Sequence, residues 1–436
     1  LPDFDDLLVL PMKFVLLTQY YPPEVGGAQV LMSSLASELQ RQGHDVRVVT
    51  ALPNYPTGHI FEGYQGQLFL REFLDAIPVF RTWVYPVQSA NLLPRLTNYF
   101  SFCISSFLSL FWIGNPDVIF VDSPPLFLAF SALLMARIKR ARWVMNISDL
   151  WPDAVAESGM VDSAALLQLA RTMERFLYRS ADFVGTVTEG IHRILLNAKD
   201  VPETKLLFLP IGVDTQLFRP RAPDPLLLST HNLSGKSVFL YAGTLGHAQG
   251  LSLLLEAADH LRDRNDILIA FVGDGPVKSH LLEQSHQKDL PNVLFVDPVP
   301  LSEMPRWWSI ARAALVTLKD QAVHQSARPS KCFPALSSGV PVIFSGSGEM
   351  ARILNDSRSG MVIVPEQVEP LVAAILQFTD DSALVRELGD NGRRLCVQRF
   401  SWHLVVQQWL ADITSHLTRN NSAAHARPTP SNIPPH

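Results

Sequence analysis

The chain has 436 residues, enough for two or three domains of ordinary size, each able to bury its own core. Hydrophobic residues at 47% against 18% charged exclude a disordered or collagen-like chain. A net charge of −5 supplies no basic field for nucleic acid, and three scattered cysteines (Cys103, Cys332, Cys396) fit buried thiols in a reducing compartment.

Leu1 to Pro11 is acidic, lacks the cationic start of a signal peptide, and reads as a flexible leader over residues 1–11. After Met12, Lys13 to Thr18 is a short apolar run with the character of a buried parallel strand. Gly26 and Gly27 follow, then a helix with Val30, Leu31, Leu35 and Leu39 on one face, a stop at Gly43, and a strand over Val46 to Thr50. This order predicts a βαβ unit. The glycine pair either lets backbone approach a ligand at the strand's carboxyl end or forms a plain tight turn.

Phe69 to Val84 carries further short apolar runs. Asn98 to Ile113 is the most apolar stretch, but it falls short of the roughly 20 residues that span a bilayer. It reads as a buried helix feeding the strand Asp117 to Val121, or as a helix lying on a membrane surface. Arg95, Arg137, Lys139, Arg140 and Arg142 would be its cationic flanks. Trp143 to Ile147 is a strand ending in Ser148-Asp149-Leu150-Trp151-Pro152-Asp153. A helix over Leu166 to Tyr178 and strands at Phe183 to Val187 and Leu206 to Leu209 complete a first α/β half.

A second half repeats the pattern. The strand Ser237 to Tyr241 leads into Gly243-Thr244-Leu245-Gly246, and Leu251 to Leu261 is a helix. The strand Ile267 to Val272 ends in Gly273-Asp274-Gly275, and strands at Val293 to Val296 and Ala314 to Leu318 follow. A basic loop with Arg328, Ser330 and Lys331 opens a short helix; a stop at Gly339 leads to the strand Val340 to Phe344, and a second glycine-rich loop ends in Glu349. Trp402, Val405, Val406, Trp409 and Leu410 mark a last helix, and the Asn-, Ser- and Pro-rich end reads as a disordered tail.

Several of these stretches together resemble the retaining glycosyltransferases of family 4, which have the GT-B fold. They are Pro22-Pro23-Glu24-x-Gly26-Gly27, Tyr241-Ala242-Gly243, Gly273-Asp274-Gly275-Pro276, Pro329-Ser330-Lys331 and Gly339-Val340-Pro341. Asp149 to Pro152 is similar to the branch that transfers amino sugars or fucose in O-antigen, capsule and colanic acid assembly. The resemblance implies two doubly wound Rossmann-like domains with a cleft between them. The expected boundaries are an acceptor domain over 12–215, a donor domain over 216–398, a helix over 399–418 returning to the first domain, and a tail over 419–436. It implies transfer of a sugar from a nucleotide-sugar donor to a lipid-linked saccharide with retained configuration. It also implies no metal or other cofactor and a peripheral place on the cytoplasmic face of the plasma membrane, against anionic lipid.

Carried onto this sequence, the resemblance places the donor at Gly26, Gly27, Gly243, Gly246, Gly273, Asp274, Gly275, Pro298, Val299, Arg328, Ser330, Lys331 and Glu349. It places the acceptor at Glu24, Asp122 and Ser123, and makes Asp149 the catalytic carboxylate. Plainer readings stand beside these. Asp149 could be a helix N-cap, Asp274 a turn cap, Arg328 and Lys331 solvated loop cations, and Glu349 a solvated loop residue. In the phosphate loop, Thr244 and Gln249 stand where relatives commonly carry Arg and Lys, which would leave the charge to Arg328 and Lys331. Ser326 and Pro334 replace a pair of glutamates, so ribose binding would pass to Glu349 or be weakened. The donor could be a UDP-linked N-acetylated deoxysugar or GDP-fucose. A non-catalytic sugar-nucleotide binder and a GT-B sugar-nucleotide epimerase are the rival classes.

Overall fold

The computed structural model describes residues 11–24, 26–55, 57–88, 92–153, 156 and 163–425. Nearly all of the leader expected over 1–11 lies outside the described residues, as does the chain beyond 425. From the amino terminus, β1 (Lys13–Leu17) leads through α1 (Gly27–Arg41) into β2 (Asp45–Ala51). A hairpin of β3 (Phe69–Leu74) and β4 (Ile77–Thr82) follows, then α2 (Leu92–Phe107), β5 (Val118–Ser123), α3 (Leu128–Lys139) and β6 (Arg142–Ile147). The half closes with α4 (Ala164–Ser180), β7 (Phe183–Thr186), α5 (Glu189–Ala198) and β8 (Leu206–Phe208).

These strands form one eight-stranded sheet in the order β3-β4-β2-β1-β5-β6-β7-β8, parallel except for the β3–β4 pair. Helices cover both faces of the parallel strands, so β5 is buried at every residue. Edge strand β3, with sequence FLREFL, alternates instead between half-buried and exposed.

The second half runs α6 (Pro225–Thr230), β9 (Ser237–Ala242), α7 (Ser252–His260), β10 (Ile267–Val272), α8 (Lys278–Gln287), β11 (Val293–Val296) and α9 (Met304–Ile310). It continues through β12 (Ala311–Thr317), α10 (Cys332–Ser337), β13 (Val342–Ser345), α11 (Glu349–Ser357), β14 (Gly360–Ile363), α12 (Val368–Asp380) and α13 (Ser382–Leu395). Its six-stranded parallel sheet has the order β11-β10-β9-β12-β13-β14.

The halves are joined twice. The outgoing chain at Val213 donates its N–H to Phe400 O (2.7 Å), and the returning chain at Trp402 donates back to Val213 O (3.2 Å). Then α14 (Trp402–His425) crosses over, and its Val405, Val406, Trp409, Leu410 and Ile413 join the core of the first half. Burying that apolar face is what brings the chain's end back to its beginning. The helix continues past residue 418, so 419–425, read from sequence as tail, are helical.

Candidate active site

In the second sheet the strand order reverses between β9 and β12, the place where open α/β sheets hold ligands outside their carboxyl ends. The loops leaving those two strands meet there. Lys331 Nζ donates to the Tyr241 hydroxyl at 2.5 Å and lies 4.2 Å from the ring centroid, while that hydroxyl donates to Thr244 O at 2.6 Å. The same ammonium stands 3.6 Å from where a Cβ on Gly243 would be, so it lies over the backbone of the glycine loop. Burial pulls its pKa down to about 8, because a low-dielectric site disfavours the charged amine. A phosphate anion arriving beside it would favour the charged form again.

Gly273 has φ +151, and a Cβ there would stand 2.1 Å from Gly243 O. Gly243 N donates to Val272 O and Leu245 N to Asp274 O, at 2.9 and 2.8 Å. The two loops are thus laced backbone to backbone, and Gly273 is required by that packing with or without a ligand; Gly275 abuts Leu245 O in the same way. Asp274 is exposed and its Oδ1 accepts from Gly275 N at 2.9 Å, which is the turn-cap arrangement. Gly246 is backed by the Gln249 side chain, Ser330 is exposed beside Lys331, and Pro298 and Val299 follow β11 farther along the same carboxyl edge.

Two expected donor contacts are placed otherwise. Arg328 and Glu349 pair with each other through Nη2 and Oε1, both side chains 2% exposed. Glu349 does not end a loop but starts α11, and its carboxylate reaches into the first half of the chain. There Oε1 accepts from Glu189 N (3.1 Å) and Oε2 from Gly190 N (2.9 Å), the first amides of α5. A carboxylate at a helix N-terminus satisfies donors that the helix itself leaves open and meets the positive end of its dipole. The guanidinium of Arg328 packs over Phe208 and Phe400 and keeps Nε and Nη1 buried without partners. The pair is therefore a clasp between the halves, and Glu349 has no free oxygen for a ribose. This also corrects the reading of Glu349 as a solvated residue.

The clasp fixes the cleft. Because α5 starts beyond the carboxyl end of β7 and Glu349 follows that of β13, the contact turns the carboxyl ends of the two sheets toward each other.

In the first sheet the order reverses between β1 and β5. Gly26 precedes the first turn of α1 and Gly27 begins it, both accessible at the cleft. Glu24, Asp122 and Ser123, read from sequence as acceptor contacts, are each 2% exposed and present no surface to an acceptor. Glu24 accepts from the backbone N–H groups of Tyr21, Asn54 and Tyr55, tying two cleft loops together. Asp122 Oδ1 accepts from Asn146 Nδ2 (2.8 Å) and Ser148 Oγ (2.7 Å), and so holds the residue next to Asp149. Its role is positioning.

Asp149 itself stands exposed at the end of β6, and among the described residues its carboxylate accepts no hydrogen bond, which removes the N-cap reading. Surrounding protein pushes its pKa up by desolvation, which makes it the stronger base. Although the side chain touches solvent, the cleft walls crowd it.

Burial likewise raises Asp122 to about 6, against the two hydrogen bonds that favour its charged form; Asp149 adds to the rise. In the unfolded chain the group ionises near its ordinary value, so between about pH 4 and 6 the native state binds more protons. Its contribution to stability is therefore present at low pH and lost as pH rises through about 6. Asp122→Asn keeps the accepting oxygen without the charge. The variant should match wild type in Tm at pH 4.5 and exceed it by several degrees at pH 8, in paired thermal melts. A constant difference across that range would refute the buried charge.

Sequence reasoning gave no role to Tyr241, Asn146, Ser148 or the first turn of α5. A tyrosine closing the apolar strand SVFLYA was the one visible signal, since a buried hydroxyl needs a partner. Among the described residues no group of three His, Cys, Asp or Glu side chains could hold a metal ion, and no helix is long and apolar enough to cross a membrane.

Known proteins agree with this architecture. Residues 26–212 match the glycosyl transferase 4-like domain, and residues 229–395 match the glycosyl transferases group 1 domain. The chain is 31% identical over 415 residues to the putative colanic acid biosynthesis glycosyl transferase WcaI of Escherichia coli K12, covering 92% of this chain and 100% of that protein. It is 21% identical to the probable glycosyltransferase WbjE of Pseudomonas aeruginosa over 70% of this chain and 76% of that one. Among solved structures, sucrose-phosphate synthase from Thermosynechococcus elongatus superposes with a TM-score of 0.72 at 17% identity, over 95% of this chain and 100% of that one. HepE of Anabaena, in complex with UDP and glucose, superposes with a TM-score of 0.69 at 16% identity, over 93% and 100%. The chain belongs to the family 4 glycosyltransferases and has their GT-B fold.

Proposed function

We propose that this glycosyltransferase moves a sugar from a nucleotide-diphosphate donor to a lipid-linked saccharide during assembly of a bacterial surface polysaccharide. The observation that carries the reading is the pair of facing crevices: Lys331 over the Gly243 loop on one side, and Asp149 at the end of β6 on the other. The diphosphate lies under Lys331 and along the loop amides, where cationic and dipolar groups offset its charge. Asp149 orients the acceptor hydroxyl. Retention follows from attack on the face that the diphosphate leaves, with the departing oxygen taking the proton; the new glycosidic bond forms as the bond to diphosphate breaks. The name of the E. coli relative supports the polysaccharide setting, and UDP in the HepE complex is in keeping with a UDP-linked donor. The sugar we propose, from the resemblance of Asp149 to Pro152 to the amino-sugar branch, is an N-acetylated deoxysugar, with GDP-fucose second as the donor.

The protein docks peripherally on the inner membrane face through its first domain. Exposed Leu93, Ile104, Leu134 and Ile138 on α2 and α3, with Arg137 and Arg140 exposed close by, support that placement.

A thermal-shift screen tests the donor site. UDP should raise Tm more than GDP or ADP, since a ligand that binds only the folded chain stabilises it. Lys331→Met should cut UDP affinity about tenfold or more, the loss of one desolvated charge contact to phosphate. No shift with any nucleotide would refute the donor reading.

A further inference from the structure

The diphosphate of a nucleotide sugar carries a negative charge on each phosphoryl group, and two such charges side by side in a crevice call for more than one cation. The sequence offered Arg328 and Lys331, but Arg328 is taken by Glu349 in the clasp, which leaves Lys331 of that pair. Lys278, which begins α8 beyond the carboxyl end of β10, is bound to Asp297 at 2.6 Å. Gln249 is neutral, and its side-chain oxygen turns back to within 2.6 Å of where a Cβ on Gly246 would be.

A further lysine stands at the other end of the same glycine loop. Just past β12, Lys319 N donates to Ala248 O at 3.0 Å, and Thr317 Oγ1 donates to Gln249 O. The end of β12 is thereby stitched to the loop that follows β9. Gly250 has φ +60, and a Cβ on it would stand 3.4 Å from Lys319 Cγ and 4.0 Å from Lys319 Cε. The stem of Lys319 therefore lies along the loop at Gly250, as that of Lys331 does at Gly243. Helix α7 starts at Ser252, directly after, and no side chain caps it, so the positive end of its dipole adds to the field there.

The ammonium of Lys319 is uncommitted. The residue is half-buried, and among the described residues its Nζ makes no ion pair and no hydrogen bond. Asp320 follows it, and Glu366 accepts from Asp320 N at 3.1 Å, yet neither carboxylate pairs with the lysine. A cation packed along backbone and left without a counter-charge is placed to meet an anion as a point charge.

We propose that Lys319 is a second phosphate-binding cation of the donor site, holding the diphosphate from the Gly250 end of the loop while Lys331 holds it from the Gly243 end. The proposal rests on the donor reading given above and adds to it a residue from the loop after β12. Two lysines then flank the loop amides, and both offset the charge that grows on the diphosphate as its bond to the sugar breaks.

Titration calorimetry on the full chain tests this, with UDP or GDP as the probe, whichever wild type binds more tightly. Lys319→Met keeps the stem along Gly250 and removes only the charge. It should weaken the nucleotide about tenfold, the loss of one charged contact to phosphate, and leave the Tm of the unliganded protein within about 2 °C of wild type. Lys319→Gln, a second neutral stem, should match it. Lys319→Arg restores a cation and should bind within about threefold of wild type, whereas Lys319→Glu should bind more weakly than either neutral variant. Binding within about twofold of wild type in both neutral variants would overturn Lys319 and leave the donor site standing. Equal weakening in the Arg and Met variants would overturn it too, since shape rather than charge would then matter. A wild type that binds neither nucleotide would strike the donor reading and Lys319 with it.

Discussion

Asp149→Asn should lower kcat about a hundredfold or more while the UDP-induced Tm shift stays at the wild-type value. General acid–base and orienting contributions are of that size. The separation of effects follows from the geometry. Asp149 stands at the end of β6 in the first sheet, whereas the Gly243 loop and Lys331 belong to the second. An asparagine keeps the shape and loses the charge that aligns the acceptor hydroxyl. Wild-type kcat/KM should also rise with pH through an apparent pKa above the ordinary carboxylate range, because desolvation raises Asp149 and the neighbouring Asp122 is raised too. The two interact, so that value belongs to the pair. Turnover within threefold of wild type in the variant would take Asp149 out of the site. Loss of the nucleotide shift together with turnover would show that the substitution had damaged the fold.

The second large effect concerns the clasp. Arg328→Met should destabilise the protein by about 3 kcal/mol, the lower end of what breaking a buried ion pair costs, because Glu349 keeps two backbone donors. Solvent screening does not reduce that figure, as both side chains are 2% exposed. Glu349→Gln should cost more. It leaves a buried guanidinium whose Nε and Nη1 already lack partners, and one amide of α5 loses its acceptor. Hydrogen exchange at Glu189 and Gly190 should accelerate in both variants and remain slow elsewhere in α5. If Tm moves by less than about 2 °C in both, the clasp does not hold the halves together.

Beyond the clasp, α5 reaches the turn that carries Asp149. Lys199, at the carboxyl end of α5, donates to Asp153 Oδ2 (2.5 Å) and to buried Glu174 Oε2 (2.9 Å). Asp153 lies four residues after Asp149, so the helix capped from the second half of the chain also anchors the loop that carries Asp149.

Much of this fold was legible in the order of residues. Apolar runs such as Lys13 to Thr18 and Ile267 to Val272 read as strands because a parallel strand buried on both faces must be apolar throughout. Glycines at strand ends marked both crevices, and Lys331 was singled out beside one of them. The helix α8, KSHLLEQSHQ, left no such trace, since only Leu281 of it is buried and its apolar pattern is too thin to show a period. Helices α5 and α11 went unread as well, although Ile191 and Leu195 in one and Met350 and Leu354 in the other stand four residues apart on the buried face; two apolar residues in so short a stretch show too little of a period.

What only the tertiary structure decided was which polar groups meet. Glu349 and Gly190 are far apart along the chain, as are Gln19 and Asn98, and no local pattern announces either contact. Five carboxylates that look equally available in sequence divide by burial and partners. Glu24, Asp122 and Glu349 are inside and bonded, Asp274 is exposed but caps its own turn, and Asp149 stands open without a hydrogen-bond partner among the described residues. Secondary structure is written locally because backbone hydrogen bonds and side-chain period are local. A charge's role depends on desolvation and on partners brought in by the folding of distant segments, so it appears only once the two halves have closed on each other.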